Sequence, residues 1–321
     1  MAMFKYILKR IGLMFVTTFI IMTICFVLIK LLEPETPMMG AQAELEMARR
    51  EALGYNKPIM VQYGIYLKNI ITEGDWGTSW KVDYMEKVGT VISARIMPSL
   101  LLNIYSLLIS MPIGIGLGIA AALMKNKWQD HFLSTIVMVF ISVPSYVFAF
   151  VLQYTLGFKM GLFPVVLSSL HDAGGSWTSS IMLKSMVMPV MALSFGTIAG
   201  MVRFTRAELS EALTSEYMLL ARTKGLTKAQ ATMRHALKNA MVPILPSIIA
   251  SFASILSGSM IIEKIFAVNG IGQLYIKSIS LLDYDVFIST GMFYTIIGLG
   301  TSIVVDLSYG FLDPRIRMGE K

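Results

Sequence analysis

Six long apolar stretches run through this chain and limit what it can fold into. Each is close to the ~20 residues that an α-helix needs to cross a bilayer. Inside lipid, the backbone N–H and C=O groups must bond within their own segment, which a helix achieves. The sequence therefore predicts an all-α integral membrane protein with six transmembrane helices. The predicted spans are Ile11–Ile29, Pro98–Met124, Phe132–Leu156, Met186–Val202, Ala240–Ile262 and Val286–Tyr309.

The charged residues agree with a membrane location. Only 15% of the residues are charged and 55% are hydrophobic, and the net charge of +7 comes from bases in short loops. Such loops set membrane orientation, so a lipid bilayer is an expected partner and nucleic acid is not. With a cytoplasmic N-terminus, the inside segments 1–10, 125–130, 203–239 and the tail from residue 311 hold roughly 15 of the 27 Lys and Arg. The bias predicts a multi-pass protein of the cell membrane with both termini in the cytoplasm.

The first apolar stretch resembles a secretory signal because Lys5, Lys9 and Arg10 precede it. It is longer than the ~7–15 residues of a signal core, so we expect a retained transmembrane helix. The predicted organisation is an N-terminus with helix 1 (1–32), an external lobe between helices 1 and 2 (33–97), and a five-helix transmembrane core (98–321). The core includes a cytoplasmic loop at 203–239, between helices 4 and 5.

A basic, soluble-looking stretch from Glu216 to Pro246 interrupts the apolar pattern. Ser215 can cap a first short helix, and Gly225 suits the left-handed residue that closes it. Thr227 and Gln230 form a capping box that opens a second helix. An amphipathic helix on an anionic membrane surface is one interpretation, but such a helix needs no break at Gly225. In the second helix, one apolar face is predicted to dock, formed by Ala229, Met233, Ala236, Leu237 and Ala240.

Two features inside the predicted spans are candidate sites. Gly114 and Gly118 follow a small-xxx-small spacing that lets helices approach closely, either within this chain or at the seam with a partner subunit. Asp306 lies near the cytoplasmic end of the last helix. Because a charge in lipid is costly, Asp306 is a functional candidate, although pairing with an arginine is the favoured interpretation.

The sequence lacks the constellations of enzymes and metalloproteins. His131, His171 and His235 fall in different loops, and Cys25 is the only cysteine, so no spacing indicates zinc or an internal disulfide. No G-x-x-x-x-G-K-[ST] motif is present, so this chain cannot hold a nucleotide through a P-loop. We expect a non-catalytic chain that binds no cofactor or metal; any ATP would be bound by another chain.

The loop resembles the cytoplasmic loop of ATP-binding-cassette importer permeases, in particular the first permease subunit of the oligopeptide, dipeptide and nickel branch. The resemblance rests on Tyr217, Ala221, Arg222, Lys224, Gly225, Leu226, His235, Leu237 and Asn239. It extends along the chain through Arg10, Lys57-Pro58, Gly74-Asp75, Gly77, Arg203, Arg206, Glu263, Gly270, Asp283-Tyr284, Asp306 and Asp313-Pro314-Arg315.

The resemblance implies half of a translocation pore with no chemistry of its own. It implies a heterodimer with a second, homologous permease, two cassette ATPases that use ATP and Mg²⁺, and an external substrate-binding protein that delivers peptide. The nine loop residues are implied to couple the permease to an ATPase. Oligopeptides are the expected substrate, with dipeptides or nickel as alternatives, because no transmembrane cluster of soft ligands is visible.

Three features depart from the family pattern, and two alternative functions remain. One departure is Glu33-Pro34-Glu35-Thr36-Pro37, which replaces the usual Gly-Asp-Pro after the first helix. Leu219 stands where the wider superfamily has a glutamate, and Thr223 where the branch usually has alanine. An ion-coupled secondary transporter would need broken helices with ion ligands and inverted repeats, neither of which is visible in the sequence. A membrane-embedded hydrolase is disfavoured because catalytic groups are missing.

Overall fold

The computed structural model describes residues 2–32, 44, 47–48, 51, 54–253, 255 and 259–312, with side chains from residue 8 to 308. The predicted family positions Asp313, Pro314 and Arg315 lie outside them. The regular secondary structure of the described residues is helical, and their only β-pairing is an isolated bridge between Thr78 and Lys87. In chain order the helices are α1 Ala2–Leu32, α2 Ile59–Glu73, α3 Val88–Leu123, α4 Trp128–Ser142, α5 Ser145–Leu152, α6 Ser180–Thr214, α7 Glu216–Thr223, α8 Lys228–Ala231, α9 Leu237–Ala253, α10 Met260–Ile265, α11 Ile271–Leu281 and α12 Tyr284–Leu312. Two π-helical segments continue α5 (Gln153–Lys159) and join α8 to α9 (Thr232–Ala236).

Among the described residues, five continuous helical stretches are long and apolar enough to cross a membrane: α1, α3, α6, α12 and the α8–α9 stretch, Lys228–Ala253. A sixth candidate is the pair Trp128–Ser142 and Ser145–Lys159, which is bent by 96°. The structure thus breaks the predicted third span.

Pro144 explains the break in that span. It has no N–H to donate, and its ring disfavours a helical conformation for the preceding residue. Val143 is accordingly extended, with φ −87° and ψ 123°. Five other prolines lie inside helices that continue past them: Pro98, Pro112, Pro189, Pro243 and Pro246.

The chain divides into two compact units. The first comprises Met1–Met97 and Gly270–Leu299, and the second comprises Pro98–Asn269 and Gly300–Lys321. The predicted lobe, 33–97, stays a prediction, since the first unit also contains α1 and residues 270–299.

The first unit has an aromatic core between α1, α2 and the start of α12. The Phe26 ring lies 5.2 Å from that of Tyr63 and 5.1 Å from that of Tyr66, and Ile288 and Met292 are buried in the same cluster. Burial raises the pKa of the Tyr66 hydroxyl well above its usual range, despite a hydrogen bond with Ser289. Tyr66 therefore stays neutral and acts as a core residue.

The loop at residues 75–88, here the lobe loop, is held by two buried carboxylates. Asp283 Oδ2 accepts hydrogen bonds from Ser79 Oγ at 2.7 Å and from the backbone N–H groups of Lys81 and Val82, both at 2.9 Å. Asp285 accepts from the Thr78 N–H at 3.3 Å and from the Tyr55 hydroxyl. Since both carboxylates stand at the start of α12, they tie the lobe loop to that helix.

An ion pair between a buried carboxylate and a partly exposed arginine links α4 to α6 in the second unit. Arg206 donates from Nε to Asp130 Oδ1 at 2.6 Å and from a terminal nitrogen to Oδ2 at 2.7 Å, and the Asn126 N–H donates to Oδ2 at 3.0 Å. Asp130 is fully buried. This bidentate geometry is the strongest form of the arginine–carboxylate interaction.

Candidate functional site

Residues 215–240, here the elbow, follow α6 without a linker. Gly225 separates α7 from α8 and has a φ of +90°, which confirms the predicted left-handed position. The Gly225 N–H donates to the Arg222 carbonyl at 3.0 Å, and the Leu226 N–H donates to the Ala221 carbonyl at 3.3 Å. These bonds close α7 and turn the chain toward α8.

The two predicted caps of the elbow differ in outcome. Thr227 Oγ1 accepts from the Gln230 N–H at 3.3 Å, and the Thr227 N–H donates to Gln230 Oε1 at 3.1 Å, so the capping box is confirmed. Ser215 occupies the N-cap position of α7, but its hydroxyl donates to the Ala212 carbonyl at 2.6 Å. The predicted side-chain cap at Ser215 is therefore wrong, because its hydroxyl is hydrogen-bonded to the last turn of α6 and does not accept from an N–H group of α7.

The five residues predicted to share one apolar face of the second elbow helix lie on different sides of it, so that grouping is wrong, and docking of this helix stays a prediction. Ala236 and Ala240 are buried, but Ala229 and Met233 are exposed, Met233 by 65%. The π-helical segment Thr232–Ala236 explains the difference, because it puts an additional residue into one turn. The buried alanines are therefore Ala231, Ala236 and Ala240, spaced by five and then four residues.

The buried side of the elbow packs on the ends of α3 and α6. One hydrophobic cluster contains residues of all three parts: Ala122, Leu209, Ala212, Met218, Ala221, Ala231, Ala236 and Ala240, with Leu226 and Leu237 partly buried against it. Alanines bring backbones close together, and close-packed cores resist change in volume. The elbow is thus fastened to two long helices.

The nine residues predicted to contact an ATPase do not share one environment. Ala221 is buried and Leu226 and Leu237 are half-buried, so these three belong to the core of the elbow. The exposed members are Tyr217, Arg222, Lys224, Gly225, His235 and Asn239.

The structure adds two exposed leucines to this surface. Leu219 and Leu220 are 66% and 55% exposed, next to Tyr217, because Met218 and Ala221 take the inward positions of α7. Sequence reasoning treated Leu219 only as a departure from the superfamily. The i, i+3 spacing of Met218 and Ala221 is the signal that identifies the outward leucines.

Gly114 and Gly118 mark a close approach of α3 to α6. A Cβ on Gly114 would lie 2.7 Å from the Met201 Cβ, and one on Gly118 would lie 2.6 Å from the Thr205 Cβ. No side chain fits at that separation, so the glycines are required by packing within the chain.

The remaining candidates show no catalytic or metal-binding geometry. Asp306 is half-buried in α12, and its pairing with an arginine stays a prediction. Over the part of the chain that the structure describes, no three His, Cys, Asp or Glu side chains form a group that could hold a metal ion.

The geometry defines a class: a multi-pass, all-helical membrane protein in which a short helical elbow is packed onto the spans. Matches to family profiles identify the family within this class. The profile described as "Binding-protein-dependent transport system inner membrane component" matches residues 114–318, and that of the N-terminal region of such membrane components matches residues 3–84. The chain belongs to this family of ATP-binding-cassette importer permeases, in its oligopeptide and dipeptide branch.

Relatives match over almost the full length. The dipeptide transport system permease protein DppB of Lactococcus lactis subsp. cremoris (strain MG1363) is 36% identical over 98% of this chain and 100% of its own. DppB of Bacillus subtilis (strain 168) is 34% identical over 99% and 100%. The glutathione transport system permease protein GsiC of Escherichia coli (strain K12) is 30% identical over 98% and 99%.

Two solved structures share the fold. An amino acid ABC transporter superposes with a TM-score of 0.53 at 20% identity, covering 70% of this chain and 94% of its own. The MetNI methionine ABC transporter in an inward-facing conformation has a TM-score of 0.55 at 14% identity, covering 70% and 97%.

Proposed function

We propose that this chain is half of the translocation pore of an ATP-driven importer of short peptides. Sequence analysis favours oligopeptides, whereas the named relatives transport dipeptides and glutathione. Dipeptides are therefore the first substrates to test. The near-complete alignment with DppB is the observation that supports a role in peptide import, because both the spans and the elbow fall within the aligned region.

The elbow is the element that couples this permease to a cassette ATPase. Its buried alanines fasten it to α3 and α6, so a push on the elbow moves those helices rather than being absorbed by a flexible loop. Its exposed surface combines Tyr217, Leu219 and Leu220 with the bases Arg222 and Lys224. Aromatic, apolar and arginine side chains are typical of interface anchors.

The complete importer contains a second permease, two cassette ATPases that bind ATP and Mg²⁺, and an external binding protein. With the bent α4–α5 pair counted as one span, this chain crosses the membrane six times. Both termini and the elbow then lie in the cytoplasm, as the distribution of Lys and Arg favours, and the lobe lies outside. This chain itself binds no nucleotide or metal.

The test is reconstitution of the chain with its permease, ATPase and binding-protein partners, followed by ATP hydrolysis and dipeptide uptake. Leu220→Asp places a charge on the exposed side of α7 without touching its buried face. We expect co-purification of the ATPase and peptide uptake to fall at least ~10-fold while membrane insertion persists. Leu170→Asp, at another exposed leucine outside the elbow, is the matched control and should behave as wild type. Uptake of peptide by the isolated chain without an ATPase would instead support the ion-coupled transporter.

A further inference from the structure

A cavity of about 350 Å³ lies at the break between α4 and α5. Its walls are the end of α4 with Phe140, the break itself with Pro144 and Ser145, and the face of α6 that carries Gly196, Gly200 and Arg203. Cavities of this size accommodate small molecules. A Cβ on either glycine would meet nothing within 4 Å, so the wall at α6 is open rather than packed.

Arg203 is the only charged residue that lines this cavity. Arg203 is exposed, and its guanidinium has no hydrogen bond or ion pair with any residue that the structure describes. Arg206, three residues later on α6, has its charge neutralised by Asp130. An exposed arginine without a counter-charge among the described residues can bind an anion that enters the cavity.

The break supplies further donors on the same side. α5 begins at Ser145, and Pro144 at its N-cap provides no side-chain cap. The first intrahelical bond of α5 runs from the Val147 N–H to the Pro144 carbonyl at 2.9 Å, so the N–H groups of Ser145 and Tyr146 precede it and lack helical partners. The N-terminus of a helix also carries partial positive charge, and Ser145 at the start of α5 lines the same cavity as Arg203.

The apolar walls indicate what else the ligand carries. Phe140 stacks on Phe195 at 5.0 Å between ring centroids, and Phe148 meets both rings edge-on at 5.3 and 5.5 Å. Phe140 and Phe148 border the cavity. A ligand that suits both the arginine and the rings has a carboxylate next to an apolar side chain.

We propose that this cavity holds the C-terminal carboxylate of the peptide on its way through the pore, with Arg203 as its main ligand and the N-terminus of α5 as the second. This inference rests on the proposed function, because it names the part of the peptide that the permease recognises. A guanidinium binds a carboxylate through two parallel hydrogen bonds, whereas the ammonium of lysine cannot.

The experiment measures binding and transport separately. The complete permease–ATPase complex is placed in phosphatidylcholine nanodiscs without binding protein, and the affinity for a labelled dipeptide and for its C-terminal amide is determined. Arg203→Gln should weaken dipeptide binding ~10-fold or more, and Arg203→Lys should weaken it less. The amide should bind wild type and Arg203→Gln equally weakly. Lys184→Gln removes an exposed charge from the same helix outside the cavity and should change nothing.

The opposing results separate this site from the function on which it rests. If wild type binds neither ligand, or if Arg203→Gln leaves the dipeptide affinity unchanged, the cavity is not a carboxylate site, even when the importer with its binding protein still takes up dipeptide. If Arg203→Gln weakens only the retention of phosphatidylglycerol added to the nanodiscs, the cavity holds a lipid phosphate and the inference is overturned. If the wild-type importer with its binding protein takes up no peptide, the proposed function fails and this inference fails with it.

Discussion

The lobe loop and the elbow are both short connections, but opposite chemistries hold them in place. The lobe loop is fixed by two buried carboxylates that accept hydrogen bonds from backbone N–H groups, from Thr78 to Val82. The elbow is fixed by small apolar side chains, above all Ala231, Ala236 and Ala240. One connection is therefore secured by direction-dependent bonds and the other by close packing.

This difference predicts how each region tolerates change. Carboxylates that bind backbone N–H groups fix the path of the lobe loop regardless of the side chains it presents, so its surface can vary while the path persists. Alanine packing fixes the separation of helices, so the elbow tolerates changes on its exposed side and not on its buried side. A coupling element needs the second property, because it must transmit displacement to α3 and α6.

The largest effect is expected from the carboxylate that anchors the lobe loop. Asp283→Ala leaves Ser79 Oγ and the N–H groups of Lys81 and Val82 without their acceptor. Each buried group left unsatisfied costs about 1–3 kcal/mol. The Ser79 hydroxyl is buried, but the Lys81 and Val82 N–H groups are only partly buried and lie at the lower end of that range, so we expect a loss of roughly 3–5 kcal/mol. Thermal unfolding in detergent measures this loss of stability, and amide hydrogen exchange at residues 81 and 82 measures the local opening of the lobe loop.

A matched control is Asp172→Ala, whose carboxylate is exposed and hydrogen-bonded to Ser169. It should stay within about 0.5 kcal/mol of wild type. Unchanged exchange at residues 81 and 82 in Asp283→Ala would show that packing, rather than the carboxylate, holds the lobe loop.

The next largest effect is expected from a substitution on the buried side of the elbow, compared with the same substitution on its exposed side. Ala231→Leu puts three additional carbons into a fully buried position, and overpacking of this kind costs about 1–3 kcal/mol. Ala229 lies two residues earlier and is exposed, so Ala229→Leu should leave the free energy of unfolding nearly unchanged. Uptake driven by ATP should fall in the first variant and persist in the second. The reverse result would restore the face that sequence periodicity predicts.

The smallest effect concerns the turn of the elbow. Gly225→Val forces a β-branched residue to a φ of +90°, which costs ~1 kcal/mol or more. Because a Cβ there meets nothing within 4 Å, any loss comes from the backbone alone. Assembly with the ATPase or transport should fail while membrane insertion survives.

Gly225→Asn serves as the comparison, because asparagine accepts left-handed conformations more readily. It should retain more uptake than Gly225→Val. Normal ATP-driven uptake in both variants would remove Gly225 from the coupling role.

Local signals made much of the elbow predictable. The left-handed Gly225 and the Thr227–Gln230 capping box depend on residues within three positions of each other, so sequence alone identifies them. The inward face of α8–α9 was missed because its π-helical turn changes the period, and periodicity rules assume 3.6 residues per turn.

Contacts between distant residues were not predictable from patterns. Asp130 and Arg206 are 76 residues apart, and Ser79 and Asp283 are 204 apart. The small-xxx-small spacing of Gly114 and Gly118 signalled a close approach, but only the structure identifies α6 as the helix approached.

The sequence by itself determined the membrane class, the approximate positions of the five continuous spans and the elbow, because these follow from the length of apolar runs and from hydrogen bonds between near neighbours. The tertiary structure alone decided which proline breaks a span, which alanines of the elbow face inward, and which of two neighbouring arginines has a counter-charge. Arg203 and Arg206 have the same side chain. Only the packing of α4 against α6, which brings Asp130 to Arg206 and leaves Arg203 at the cavity, makes one a structural link and the other a candidate ligand.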